Sequence, residues 1–282
     1  MGLNPDDPVW DVTVYTKNRE RLIAGEVSQR LLASVVERAR AANLLSEEHF
    51  TVDGTLIQAW AHRRSFHPKD PNQVAGTGAR GRKLLRDKVE SKTDPEARLY
   101  SKGGPSLACY LGHVLTENRN GLVVEACVTQ ASKKAEPEAA LQMLDRLPQF
   151  SPAQRKEAGP REGQAQVRKQ VSLGADKAYQ TEDFIAGLRE RKVAPHVAEY
   201  EPNPKFPNFL TEQERADAGF GISQDKRKLV EKVFGWGKQQ RPVKQIKLRG
   251  LTRVDWMFRL TMAAHNLVRM LKLIPTVSPV PV

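Results

Sequence analysis

The sequence predicts a mixed α/β sheet flanked by helices, and three observations predict it. Short apolar runs alternate with stretches of helical periodicity, two of the runs are joined through Asn120-Gly121, and two others end on aspartate. The resulting order is strand with Asp, hairpin, helix, strand with Asp, helix, strand and a helix carrying Glu, which suits helices packed on a mixed sheet. No internal repeat is present, which disfavours a solenoid.

Residues 10–26 are polar and weakly patterned, after which Val27, Leu31, Leu32, Val35, Val36 and Ala39 recur at helical spacing and predict one amphipathic helix. Phe50-Thr51-Val52-Asp53-Gly54-Thr55 reads as a short strand stopped by Gly54, with Asp53 at its end. Residues 108–114 and 122–128 read as two antiparallel strands, because Asn-Gly is the strongest short hairpin signal. With Asn120 and Gly121 as the turn, Cys109 falls opposite Ser132 and Cys127 opposite Val114, so the two cysteines are not partners. Ala139, Ala140, Met143, Leu144 and Leu147 share one face of a helix over 138–147. The polar stretch 149–170, with Pro152 and Pro160, reads as a surface insertion. Val171-Ser172-Leu173-Gly174-Ala175-Asp176 is a second strand ending on aspartate, followed by a helix over 181–191 and a strand over 193–197. A proline-dotted loop over 202–219 leads into a helix over 223–238, and a last helix covers 252–273.

Composition narrows the function. The 282 residues include 45 Lys or Arg and 33 Asp or Glu, a formal net charge of +12, with a sequence pI near 9.8 and a mean hydropathy of −0.54. No apolar run approaches the roughly 20 residues of a membrane helix, and residues 1–10 lack the layout of a signal peptide. The chain therefore reads as soluble and cytoplasmic. Cys109 and Cys127 are too few for a disulfide framework or an all-cysteine zinc site. The six histidines have no metal-ligand spacing. A basic excess of this size points to a polyanion, most plausibly nucleic acid. Residues 224–253 hold ten Lys or Arg against Asp225 and Glu231, a net +8. Arg80, Arg82, Lys83, Arg86 and Lys88, near Gly76, Gly78 and Gly81, read as a flexible basic loop.

Asp53, Asp176 and Glu231 are the candidate chemistry. Two-metal phosphoryl transfer needs carboxylates converging on a pair of Mg²⁺ ions, since hard cations prefer oxygen ligands, and strand ends facing a helix can supply that convergence. The plain alternative is that each aspartate caps a turn and that Glu231 balances Arg227 and Lys228 at helical spacing.

Five segments carry a resemblance: Phe50-Thr51-Val52-Asp53-Gly54-Thr55, Thr93-Asp94-Pro95-Glu96-Ala97-Arg98-Leu99-Tyr100, Glu117-Asn118-Arg119-Asn120-Gly121-Leu122-Val123-Val124, Leu173-Gly174-Ala175-Asp176-Lys177-Ala178-Tyr179, and Val230-Glu231-Lys232-Val233-Phe234-Gly235-Trp236. In order, from about residue 6 to 273, the chain resembles a bacterial insertion-sequence transposase of the DDE class. The resemblance implies a ribonuclease H-like catalytic domain over 49–282, with 1–48 as the helical tail of a shortened N-terminal DNA-binding region. It implies that Asp53, Asp176 and Glu231 bind two Mg²⁺ ions, with Mn²⁺ as a substitute, and that element ends are cut and joined to target DNA. Arg227, four residues before Glu231, and Lys238, seven after it, match cations that relatives place on that helix. Lys228, Lys232 and Lys177 beside these motifs are assigned to DNA contact on the same ground. Double-stranded DNA, a homodimer on that DNA, nucleoid association and the absence of a membrane follow as expectations. The sequence departs from the family at Gln224, where some relatives carry tyrosine, at Asp225, where arginine is common, at 72–90, and after Trp236. Two readings compete with an active transposase: a DNA-binding remnant without cleavage, and a ribonuclease H-like nuclease without strand transfer.

Overall fold

The computed structural model describes residues 11–69, 88–147, 170–201, 203, 206–239 and 243–274. Arg80, Arg82, Lys83 and Arg86, the insertion at 149–169 and Arg241 lie outside the described residues. In chain order the elements are helices α1 (Val12–Ala24) and α2 (Val27–Ala41), and strands β1 (His49–Gln58), β2 (Phe66–Pro68), β3 (Val89–Ser91), β4 (Arg98–Tyr100), β5 (Leu107–Glu117) and β6 (Val123–Gln130). Helix α3 (Ala135–Arg146), β7 (Val171–Ala175), α4 (Glu182–Glu190), β8 (Val193–Val197), α5 (Glu212–Arg215), α6 (Gly219–Arg227), α7 (Leu229–Gln239) and α8 (Leu251–Leu273) complete them.

Strand β1 is the centre of the main sheet. It pairs antiparallel with β5 and parallel with β7, while β8 lies parallel outside β7. β6 and β4 share the far edge of β5, both antiparallel to it. Reading β6-β5-β1-β7-β8, three antiparallel strands are followed by two that run parallel to the first, which is the ribonuclease H-like arrangement expected from the sequence. β8 is buried at all five positions yet contains Pro195, and a sheet edge is where a strand tolerates a missing donor. β2 and β3 form a separate ribbon.

The core is continuous from α2 to α8. Leu32, Val35, Val36 and Ala39 of α2 join the same buried cluster as Phe50, Tyr110, Tyr179, Phe184 and Phe258. Each large apolar side chain so buried contributes on the order of 1.5–3 kcal/mol. The helix over 27–41 is thus packed on the sheet and on α8 rather than held apart from it.

Four local expectations are corrected. Residues 12–24, polar and weakly patterned in sequence, form a helix without a buried residue. Gly54 does not stop β1, which runs on to Gln58 and leaves Asp53 in mid-strand. The β5–β6 connection is longer than a two-residue turn, because the buried Glu117 carboxylate accepts from the backbone N–H groups of Ser46, Arg119, Asn120 and Leu122. With that loop and a register shift at Leu115/Thr116, Cys127 pairs with His113 and Cys109 with Gln58 and Arg98. Finally, the single helix expected over 223–238 is broken at Lys228 into α6 and α7, which separates Arg227 from Glu231.

Candidate active site

The sheet register builds the first part of the site. Phe50 lies opposite Leu173 and Thr51 opposite Gly174, and two further steps of that parallel register bring Asp53 level with Asp176, one residue beyond the end of β7. The two half-buried aspartates act on each other. Burial pushes the Asp53 carboxyl up to about 6; the charges of Asp176 and Glu136 add to the shift, while the Gly54 N–H and the Lys102 ammonium oppose it. The Gly54 N–H donates to Asp53 Oδ1 at 2.7 Å. Asp176 accepts from the Ala178 N–H at 2.8 Å and caps the short turn Lys177–Tyr179, so the capping role weighed from sequence is real. That bond occupies Oδ1 and does not exhaust the acceptor capacity of a carboxylate.

Lys102 and Glu136 complete this corner, and sequence reasoning missed both. Lys102 Nζ donates to Glu136 Oε1 at 2.5 Å and to the Gly54 carbonyl oxygen at 3.1 Å. Glu136, in the first turn of α3, is almost fully buried. Its carboxylate fills the space above Gly54, where any Cβ would collide with Glu136 Oε1. Gly54 is therefore in the strand because a carboxylate packs against its backbone, a use of glycine that its position inside a strand signals. The backbone of Gly54 is held at both of its polar groups, its N–H by Asp53 Oδ1 and its carbonyl by Lys102. The Tyr179 hydroxyl, buried in the field of Glu136, Asp53 and Asp176, has no hydrogen-bond partner among the described residues.

Helix α7 brings the other sequence candidates. Glu231 lies in its first turn and is exposed, as are Lys232 and Lys238. Seven residues separate Glu231 from Lys238, two helical turns and about 10 Å along one face. The Lys238 ammonium is close enough to the corner to feel it: burial lowers its pKa, Asp53 opposes that shift and Lys102 adds to it. Arg227 is half-buried at the end of α6, with its Nε unpaired among the described residues. Lys228 lies 3.8 Å from Asp225, and Lys177 sits 5.6 Å from the centre of the Tyr200 ring. Trp236 packs edge-on against His265, half-buried.

Among the described residues no group of three or more His, Cys, Asp or Glu side chains is arranged to hold a metal ion. Asp53 and Asp176 are brought together, with Lys102, Glu136 and Lys238 around them; Glu231 stays on the exposed start of α7. The pair itself fits a hard divalent cation, since it offers carboxylate oxygens and one of the two is destabilised by burial beside the other. Asp94, in the Thr93–Tyr100 segment, is fully buried and accepts from Tyr110 and the Gly250 N–H. Arg98 is likewise spent on Pro95, Ala97 and Gln130. A cavity of about 540 Å³ along β8, lined by Arg189, His196 and Glu214, includes none of the three sequence-predicted carboxylates.

Residues 209–271, from before α5 into α8, match the family described as a transposase DDE domain. The matched DDE segment contains Glu231 but neither Asp53 nor Asp176. No curated protein matches the chain significantly. Among solved structures the chain is similar to a piggyBac transposase synaptic complex with hairpin DNA, at 10% identity and a TM-score of 0.37, over 95% of this chain and 57% of that one. It is also similar to the Mos1 transposase in a pre-cleavage transpososome, at 10% identity and a TM-score of 0.27, over 95% of this chain and 67% of that one. The Mos1 mariner paired-end complex with Mn gives 10% identity and a TM-score of 0.26, over 94% and 68%. The chain thus spans little more than half of the piggyBac chain.

Proposed function

We propose that this DDE-class chain is a divalent-metal-dependent DNA transposase, acting at element ends and joining them to target DNA. The observation that supports the reading is the approach of Asp53, inside β1, to Asp176, one residue past the end of the neighbouring parallel strand β7. In this reading Asp53, Asp176 and Glu231 hold Mg²⁺, two ions with Mn²⁺ as substitute. When bound, the metal supplies an activated water and charge neutralisation at the scissile phosphate.

The chain's own residues do the rest. Asp53 and Asp176 present oxygen donors from a rigid sheet, and Lys102 with Glu136 fixes the peptide that follows Asp53. In this reading Lys238, within the field of Asp53, contacts a phosphate next to the cleaved bond, and Arg227, Lys228, Lys232 and Lys177 extend that contact. Phosphoryl transfer asks for such positioning and neutralisation and needs no covalent nucleophile from the protein. Glu231 joins the pair only if α7 shifts, for which the break at Lys228 provides a joint. Residues 49–282 are the catalytic domain and 1–48 the tail of a DNA-recognition region. The partner is double-stranded DNA, bound by a homodimer in the nucleoid of the cytoplasm.

A second reading, DNA binding without cleavage, is favoured by the position of Glu231 outside the aspartate pair. Incubating the protein with Mg²⁺ and an end-labelled element-end duplex separates the two. Nicked and joined products are expected; binding without nicking at high protein concentration selects the second reading, and nicking without joining selects a nuclease.

A further inference from the structure

Beyond the carboxylates, one surface combines an exposed aromatic ring with cations that have no carboxylate partner among the described residues. Trp60 follows the end of β1 and is 41% exposed. Alongside it runs the segment 243–249, tied to β1 by the Gln58 N–H donating to the Lys244 carbonyl at 3.1 Å and by a parallel bridge between Gln58 and Gln245. Buried Val243 and Ile246 anchor that segment, which leaves Lys244, Lys247 and Arg249 exposed. Lys247 Nζ stands 5.4 Å from the Trp60 ring centre. Arg63 and Arg64, three and four residues past Trp60, are exposed as well. Among the described residues none of these five cations forms a salt bridge, whereas Arg253, a few residues farther along, is paired with Glu20 of α1.

We propose that Trp60, Lys244, Lys247 and Arg249 form a docking strip for a single strand of DNA, with an unpaired base stacked on Trp60. An exposed indole offers a stacking platform to an unstacked base, and cations with no carboxylate in salt-bridge range among the described residues offer phosphate neutralisation beside it. An acidic peptide would satisfy the cations and leave the indole unused. The strip deepens the transposase reading by naming a strand that leaves the cleavage site. Trp60 lies seven residues beyond Asp53, two past the end of β1, at most about 23 Å away, or about six or seven nucleotides along a DNA strand. Its test is binding alone and does not require cleavage.

The experiment is fluorescence anisotropy with a labelled 12-nucleotide single strand and the matching blunt duplex, on the whole protein. Trp60→Ala is expected to weaken single-strand binding by about 5- to 100-fold while Trp60→Phe keeps most of the affinity. Lys247→Ala should lower the salt slope for the single strand by about 0.7. Duplex affinity should change less than twofold in Trp60→Ala. Wild-type single-strand affinity in Trp60→Ala, or an equal loss for strand and duplex, overturns the strip. A Trp60 effect in a protein that never nicks DNA leaves the strip standing and removes the catalytic reading instead.

Discussion

Two basic regions of this molecule use their cations in opposite ways. Around α4, α5 and β8, Arg189 pairs with Glu214, Arg191 with Asp145 and Arg215 with Glu199, each at 2.6–2.8 Å. Around the end of β1, Lys244, Lys247, Arg249, Arg63 and Arg64 have no carboxylate in salt-bridge range among the described residues. The first set is internally neutralised and contributes little net field. The second is available to a polyanion. Charge counted along a sequence is therefore not charge available to a ligand, and the net +8 of residues 224–253 includes at least one cation, Arg253, already committed to Glu20.

The sharpest way to break that comparison lies between the two regions, at the carboxylates. Asp53→Ala, Asp176→Ala and Glu231→Ala should each lower Mg²⁺-dependent nicking by on the order of 10³-fold and leave duplex binding within about twofold. Gel analysis of labelled duplex reads both, and full nicking by any one of the three removes that residue from the site.

A stability effect of opposite character should accompany the loss of function at Asp53. Its folded pKa of about 6 lies above the ordinary carboxylate value of 3.8, so the folded state holds a proton that the unfolded state has released between those values. Stability therefore falls as pH rises from about 4 to about 6, and an ionised Asp53 costs about 1–3 kcal/mol above that. Asp53→Asn should recover that amount at pH 8 and nothing at pH 4. Urea unfolding at the two pH values measures it, and equal stability of the two proteins at pH 8 contradicts the buried-pair geometry.

Gly54→Ala should cost about 1–3 kcal/mol, because its Cβ meets the Glu136 carboxylate and the Lys102 contact must shift. A neutral outcome in the same unfolding assay would mean that the corner is looser than described. Smallest of all, Arg189→Ala should cost under about 1 kcal/mol and leave the salt dependence of DNA binding unchanged, since its charge is already paired on the surface. A salt slope in Arg189→Ala reduced as much as in Lys247→Ala would erase the distinction between the two regions.

The chain order of the main strands and most helices was legible because periodicity and turn chemistry are local. What was not legible depended on distant partners. Gly54 reads as a stop until Glu136, 82 residues away, is seen filling its missing side chain. Asn120-Gly121 reads as a tight turn until the Glu117 carboxylate collects the loop N–H groups and lengthens it. Lys102 carried no signal beyond a neighbouring Gly103-Gly104, and its role appears only when β1 and α3 are folded beside it. The break at Lys228 is hidden because residues 223–238 keep a helical period through it.

The central claim, that Asp53 and Asp176 jointly hold a divalent cation, is tested most directly by calorimetric titration of the whole protein with Mn²⁺ at pH 7.5. The account predicts saturable binding to the wild type that is lost in both Asp53→Ala and Asp176→Ala but retained in Lys247→Ala. Wild-type Mn²⁺ binding in either aspartate variant would contradict it.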